Sequence, residues 1–419
     1  MVEGLMNQVL DITRVRRQFP ALSREVNGKP AVFFDGPAGS QVPGTVIEAI
    51  REYLACSNAN HGGLFATSVE SDMLLDGAHR SVADLVGSPD PNLVCFGANM
   101  TTLTFAFSRA LSRTWKPGDE VIVSQSDHDA NVTPWVLAAS DAGVVVRVIP
   151  LRSVDCTLDL EAFERMLSNR TRLVAVGCAS NATGTIHDVG RIIQYTHRVG
   201  GQVFLDAVHY APHALMDVVA WGCDYLACSA YKFFGPHVGV LWGKRELLDS
   251  LTPYKVRPAP NEVPGKWMTG TQNHEGIAGT HAAVEYLADL GRTAGGDLNR
   301  RQALVAGFQV IREYESTLAA WLMAGLRNLK SVRVWGITDL ARFHDRVPTF
   351  SITHAKRQPE EIARHLAKKG IFVWHGNFYA LPVTESLGLE PEGMVRIGLM
   401  HYNTVGEIDR LIEALDELE

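Results

Sequence analysis

Lys232 lies in CSAYKFFGPHVGVLWG, after the apolar run YLACS and ahead of a glycine-containing turn and a second strand-like run. A setting this apolar withholds water from the amine, which lowers its pKa and favours imine formation with an aldehyde. The competing reading is an ordinary solvated lysine. Asp206 ends the run QVFLD. A buried carboxylate there needs a partner: a protonated pyridine nitrogen, a salt bridge, or the N–H groups of a helix it caps. Thr101 and Thr102 follow one apolar run and open a helical one. N–H groups at that helix start, with two hydroxyls, can cradle a phosphate, or the threonines can simply cap the helix. No G-x-G-x-x-G favours a dinucleotide instead.

The elements that must position these residues are legible as a repeat of short apolar runs and amphipathic stretches over about residues 30–245. LVCF, EVIVS, VVVRVIP, RLVAVGCAS and QVFLDAV supply the apolar runs. That alternation predicts β-α units around a mostly parallel sheet covered on both faces. Ligands of such sheets gather at the carboxyl ends of the strands. The polar clusters GANMTT, SQSDHDAN, SNATGT and AVHY follow the runs directly, so one site is expected from those loops. Past residue 290 or so the texture changes. A long helical pattern, strand-like VRVWGI, TFSITH and GIFVWHG, and a terminal GEIDRLIEALDEL predict a smaller α+β unit.

The chain has 419 residues, 46% of them hydrophobic, enough for a large core and two domains. A net charge of -7 argues against nucleic acid or an anionic membrane as partner and leaves a small molecule. The six cysteines are scattered without a C-x-x-C pair, so neither a disulfide framework nor a metal site is expected, and a reducing cytoplasm is. Neither a signal peptide nor a membrane span is expected.

Together these residues resemble the class V aminotransferase and cysteine desulfurase superfamily, from VFFDGPAGSQVP near residue 32 to VRIGLMHYNTVGEIDRL. The resemblance implies a pyridoxal phosphate (PLP) enzyme of α/β fold type I. Residues 1–30 would pack with the small domain, 31–290 form the large cofactor-binding domain, and 291–419 form the small α+β domain. It implies Lys232 as the Schiff-base lysine, Asp206 on the pyridine nitrogen, and Thr101, Thr102 and Ser229 on the phosphate. His128, in Asp127-His128-Asp129-Ala130-Asn131, would stack on the ring. Asn181 in SNATGT, with His209 in place of the family's glutamine, would contact the ring oxygen. Thr271 in Gly270-Thr271-Gln272-Asn273 would reach the phosphate of a neighbouring subunit, which implies a homodimer with shared sites. Arg396 would bind the substrate α-carboxylate, a role that suits its planar fork, with His61 and Asn181 also on the substrate side.

The departures bear on the reaction. Desulfurases carry a nucleophilic cysteine in a loop reading roughly G-H-H-C-A, and the matching stretch here is Gly376-Asn377-Phe378-Tyr379-Ala380. Trp374 stands where those enzymes have an arginine, and Tyr231 where a histidine usually precedes the lysine. Tyrosine cannot accept sulfur to form a persulfide, but Tyr379 can donate a proton or close the pocket. The expected function is therefore a PLP-dependent C–S or C–Se lyase acting on an amino acid without a persulfide cysteine. Transamination and epimerisation are the alternatives. A catalytically silent binding protein is disfavoured by the intact Lys232, Asp206, Asn181, His128 and Arg396.

Overall fold

The computed structural model describes residues 10–419. The first nine residues of the expected N-terminal segment lie outside the described residues.

The sheet that builds the site contains β1 (Val94–Gly97), β2 (Glu120–Ser124), β3 (Val145–Ile149), β4 (Thr171–Gly177), β5 (Gln202–Asp206), β6 (Tyr225–Ser229) and β7 (Gly239–Gly243). Its spatial order is β1-β7-β6-β5-β4-β2-β3, and only β7 runs antiparallel to its neighbours. The expected mostly parallel α/β sheet is therefore present. Strands β2, β5 and β6 read EVIVS, QVFLD and YLACS and are buried almost throughout, as strands covered on both faces must be. Edge strand β3 has no neighbour beyond it and leaves Val145 and Val148 exposed.

Helix α1 (Met100–Leu111) lies against this sheet and starts at the carboxyl end of β1. Its Phe107 joins Trp135, Phe204 and Tyr225 in one aromatic cluster, with ring centres 6.0 Å apart for Phe107–Phe204 and 4.9 Å for Trp135–Phe204. Removing the fully buried Phe204 ring would cost about 3–5 kcal/mol and loosen α1 on the sheet. At the other end of α1, a Cβ on Gly239 would meet the Asn99 backbone at 2.4 Å. Only glycine lets β7 pass this close to the helix start.

Helices α2 (His274–Gly295) and α3 (Arg300–Asn328) form a long hairpin, and the division expected at residue 290 falls inside α2. Beyond it, β8 (Val332–Trp335), β9 (Thr349–His354), β10 (Trp374–Gly376) and β11 (Met394–Gly398) make an antiparallel sheet in the order β8-β9-β11-β10. The closing helix α4 (Val405–Asp416) starts with a Thr404–Glu407 capping box. The N-terminal residues that are described reach this part of the chain: Arg16 pairs with Glu407 at 2.9 Å and donates to the Tyr402 carbonyl at 2.6 Å. Among the described residues no helix is long and apolar enough to cross a membrane.

Candidate active site

The carboxyl ends of β1, β2, β4, β5 and β6 open onto one cavity of about 540 Å³. Thr101, Thr102, His128, Asn181, Asp206, His209, Ser229 and Lys232 all line it, so the sheet gathers these sequence-selected residues from separate loops. Asn99, Asp127, Tyr231 and His237 complete its polar wall.

Lys232 closes a short turn after β6 and is 9% exposed. Its amine donates to the Pro37 carbonyl and lies 4.8 Å from the Tyr231 ring centre. Burial, aided by the Arg396 charge, pushes its pKa down to about 7, while Asp206 opposes the shift. Asp206, the last residue of β5, is also buried, and its Oδ1 accepts the Val208 N–H at 2.8 Å. Burial raises its pKa to about 6 against that hydrogen bond and the Lys232 charge. The expected salt-bridge alternative for Asp206 is not realised among the described residues. A buried carboxylate that feels Lys232 only from beyond ion-pair distance leaves room for a cationic group of a ligand in contact with it.

His128 follows β2. Its Nδ1 accepts the Ala130 N–H at 3.0 Å, and burial lowers its pKa to about 4, so the ring stands neutral. Asp127 beside it accepts from Ser124 Oγ and, at 3.1 Å, from Asn131 Nδ2, which Trp135 braces in turn at 3.0 Å. A Cβ on Gly177 would come within 2.8 Å of Asp127 Oδ1, so glycine at the end of β4 makes room for this carboxylate.

At the start of α1, Asn99 caps the helix by accepting Thr102 N–H at 2.8 Å, and Ser229 Oγ accepts Met100 N–H at 2.9 Å. The helix start is thus fixed beside Thr101 and Thr102 on the cavity wall, an arrangement suited to an anion. His209 places Nε2 3.0 Å from Thr349 Oγ1, and burial holds its pKa well below the ordinary histidine value.

Other selected residues lie off the cavity wall. Arg396 is on β11, 5% exposed, with Nη1 donating to the Asn181 carbonyl at 2.9 Å and the Phe378 ring centre 4.3 Å from its guanidinium carbon. Tyr379 projects at 73% exposure and stacks on His128. Thr271 and His61 belong to a different surface, where Gly270, Gln272, His274 and His61 line a second hollow and the His61 and His274 rings are 5.9 Å apart. Cys178 and Cys228 are fully enclosed, and burial raises both thiol pKa values. Neither lines the cavity.

Sequence reasoning passed over Asn99, although an asparagine just before a helix start is an N-cap signal. It quoted Asp127 without a role. Phe378 left no signal, because its contact with Arg396 depends on how a loop folds back on a distant strand.

The polar wall fits PLP: an amine for its aldehyde, a carboxylate for its ring nitrogen, a neutral imidazole for its ring face and a helix start for its phosphate. Asn181 Oδ1 and Arg396 Nε are buried and lack hydrogen-bond partners among the described residues, as a binding site awaiting polar groups would leave them.

Residues 32–411 match the family model described as aminotransferase class-V, and the chain belongs to that family. It is a PLP-dependent enzyme with the family's α/β fold. A cysteine desulfurase of Yersinia pestis (strain Pestoides F) is 29% identical over 423 residues, covering 97% of this chain and 98% of its own. A cysteine desulfurase of Synechococcus elongatus is 30% identical, covering 98% of this chain and 64% of its own. Among solved structures, the Escherichia coli cysteine desulfurase CsdA superposes with a TM-score of 0.83 at 27% identity, covering 97% and 98% of the two chains. The apo cysteine desulfurase of Thermococcus onnurineus NA1 gives 0.86 at 26%, covering 97% of each.

Proposed function

We propose that this enzyme is a cysteine desulfurase-like lyase that cleaves a carbon–sulfur or carbon–selenium bond of an amino acid without forming an enzyme persulfide. The observation that carries the reading is the loop at residues 376–380, which presents Tyr379 and no thiol, while Cys178 and Cys228 are enclosed away from the cavity. The names borne by its relatives support the substrate class.

When bound, PLP supplies an aldehyde that condenses with amines and a ring that draws electron density from the substrate α-carbon. Lys232 holds it covalently and, with an amine largely neutral above pH 7 or so, serves as base for the α-proton. Asp206 retains the proton on the ring nitrogen, and neutral His128 packs on the ring face without adding charge. Thr101, Thr102 and Ser229 hold the phosphate, Asn181 and His209 the ring oxygen, and Arg396 the substrate carboxylate. Tyr379 closes the pocket over His128.

Thr271 and His61 act in the site of a second copy. Leu64, Phe65, Val69 and Met73, which follow His61 in the chain, are exposed large apolar side chains that a homodimer would cover. The five enclosed, unpaired cysteines and the exposed Cys56 suit a reducing cytoplasm.

Incubating the holoenzyme with a panel of amino acids while following sulfide, selenide, pyruvate, alanine and keto acids tests the reading. Sulfide or selenide release supports it. Keto acid with conversion of the cofactor to its amine form would establish transamination instead, and loss of optical activity without either product would establish epimerisation.

A further inference from the structure

Arg396 is a buried guanidinium with no carboxylate in contact among the described residues, although Asp35 acts on its charge from further off. It is buried at 5% exposure and forms no ion pair among the described residues; its hydrogen bond goes from Nη1 to the Asn181 carbonyl, and Nε has no partner. A guanidinium in that state should face an anion. It faces Phe378, whose ring centre is 4.3 Å from the guanidinium carbon. The same residue engages Asn181 as well: Asn181 Nδ2 donates to the Phe378 carbonyl at 2.9 Å. One residue thus occupies both donor groups assigned above to the ligands, with its ring on one and its carbonyl on the other.

The loop that holds Phe378 is built to be displaced. Phe378 and Tyr379 both have φ of +58°, a left-handed conformation unfavourable for bulky side chains. Contacts to the cavity wall hold it there: the Asn181 bond, an Asp129 N–H donating to the Tyr379 carbonyl at 2.7 Å, and the stack on His128. Trp374 stands directly across from Arg396 in the β10–β11 pairing.

We propose that Phe378 is a stopper, which masks Arg396 and Asn181 until a substrate α-carboxylate displaces it and so tempers the affinity for α-amino acids. A carboxylate offers Arg396 two charge-assisted hydrogen bonds in place of an aromatic face, enough to favour exchange. A simple amine offers nothing to exchange with. The ring therefore weakens the binding of α-amino acids, which must displace it, and leaves the binding of amines that reach the same cavity unchanged, so it sets how far Arg396 favours one over the other. This rests on the assignment of Arg396 to the substrate carboxylate.

The holoenzyme tests it with L-alanine, which has no sulfur to lose, and ethylamine, its counterpart without the carboxylate. Phe378→Leu keeps bulk and the backbone carbonyl but loses the ring, so the dissociation constant for alanine, read from the cofactor absorbance, should fall by about three- to tenfold. That for ethylamine should not move. Unchanged or weaker alanine binding, or a parallel change for both ligands, overturns the proposal. A second measurement needs no variant. Hydrogen exchange in the wild-type segment 376–380 should quicken with saturating alanine and stay unchanged with ethylamine, and unchanged or slowed exchange with alanine overturns it equally. Arg396→Lys separates the two assignments. If that variant keeps the wild-type preference for alanine over ethylamine, the carboxylate role of Arg396 has failed. If it loses the preference while Phe378→Leu behaves as wild type, the stopper alone has failed.

Discussion

The rings of His128 and Tyr379 lie nearly parallel, 5.4 Å between centres and tilted by 22°. The Tyr379 carbonyl also accepts the Asp129 N–H at 2.7 Å, so loop and cavity wall are joined twice at this point. If closure is the role of Tyr379, Tyr379→Phe should keep kcat/KM within about threefold of wild type, and Tyr379→Ala should lower it roughly tenfold by removing the stack. Steady-state kinetics on both variants checks this. Equal losses would make the phenol a proton donor.

Reduction of the holoenzyme with borohydride should fix the cofactor to Lys232, and Lys232→Ala should abolish that attachment. The pKa near 7 adds a pH signature. In the apoprotein, condensation with an added aldehyde should accelerate as pH rises through about 7, whereas a solvated lysine needs pH above about 10. Peptide mapping that finds the cofactor on another lysine would contradict the assignment.

Asp206 predicts a stability effect whose sign is fixed by its shift. Its folded-state pKa, about 6, exceeds the ordinary 3.8, so the folded chain takes up the proton first as pH falls. The penalty for burying its charge is therefore present above pH 6 and gone below 3.8. Asp206→Asn should stabilise the apoprotein by about 1–3 kcal/mol at pH 7.5, with the gain vanishing towards pH 4. Turnover of the loaded enzyme should drop at least ~10²-fold, because an unprotonated ring is a poor electron sink. Denaturant melts across pH, paired with kinetics, decide both halves.

The site was readable where chemistry depends on residue type at a strand end. Lys232, Asp206, His128, Asn181 and the Thr101–Thr102 pair each follow an apolar run, and a parallel sheet brings such ends together whatever the sequence between them. What escaped depended on how separate segments meet. Nothing around Phe378 announces a contact with Arg396, which needs both the left-handed turn at residues 378–379 and the β10–β11 pairing. The division at residue 290 illustrates another limit. A change of texture was visible there, but α2 continues to Gly295, since helix periodicity does not reveal which unit a helix packs on.

Thr271 lies off the cavity of its own chain, so sharing between subunits makes a direct prediction. Lys232→Ala and Thr271→Ala homodimers should each be impaired, and after subunit exchange the mixed dimers should regain activity, one site carrying both lesions and the other none. Mixtures with confirmed exchange and no recovery would refute sharing, provided Thr271→Ala alone is impaired.

In the proposed reaction sulfur leaves without passing through an enzyme thiol. Burial raises the pKa of Cys178 and Cys228, the two thiols at the strand ends beside the cavity, which disfavours the thiolate that persulfide formation requires. Intact-protein mass spectrometry during turnover with cysteine, in parallel with sulfide assay, tests this most directly. Free sulfide is expected, with the protein mass unchanged. A one-sulfur adduct on any cysteine, forming and decaying at the rate of turnover, would contradict it and establish a persulfide-forming desulfurase.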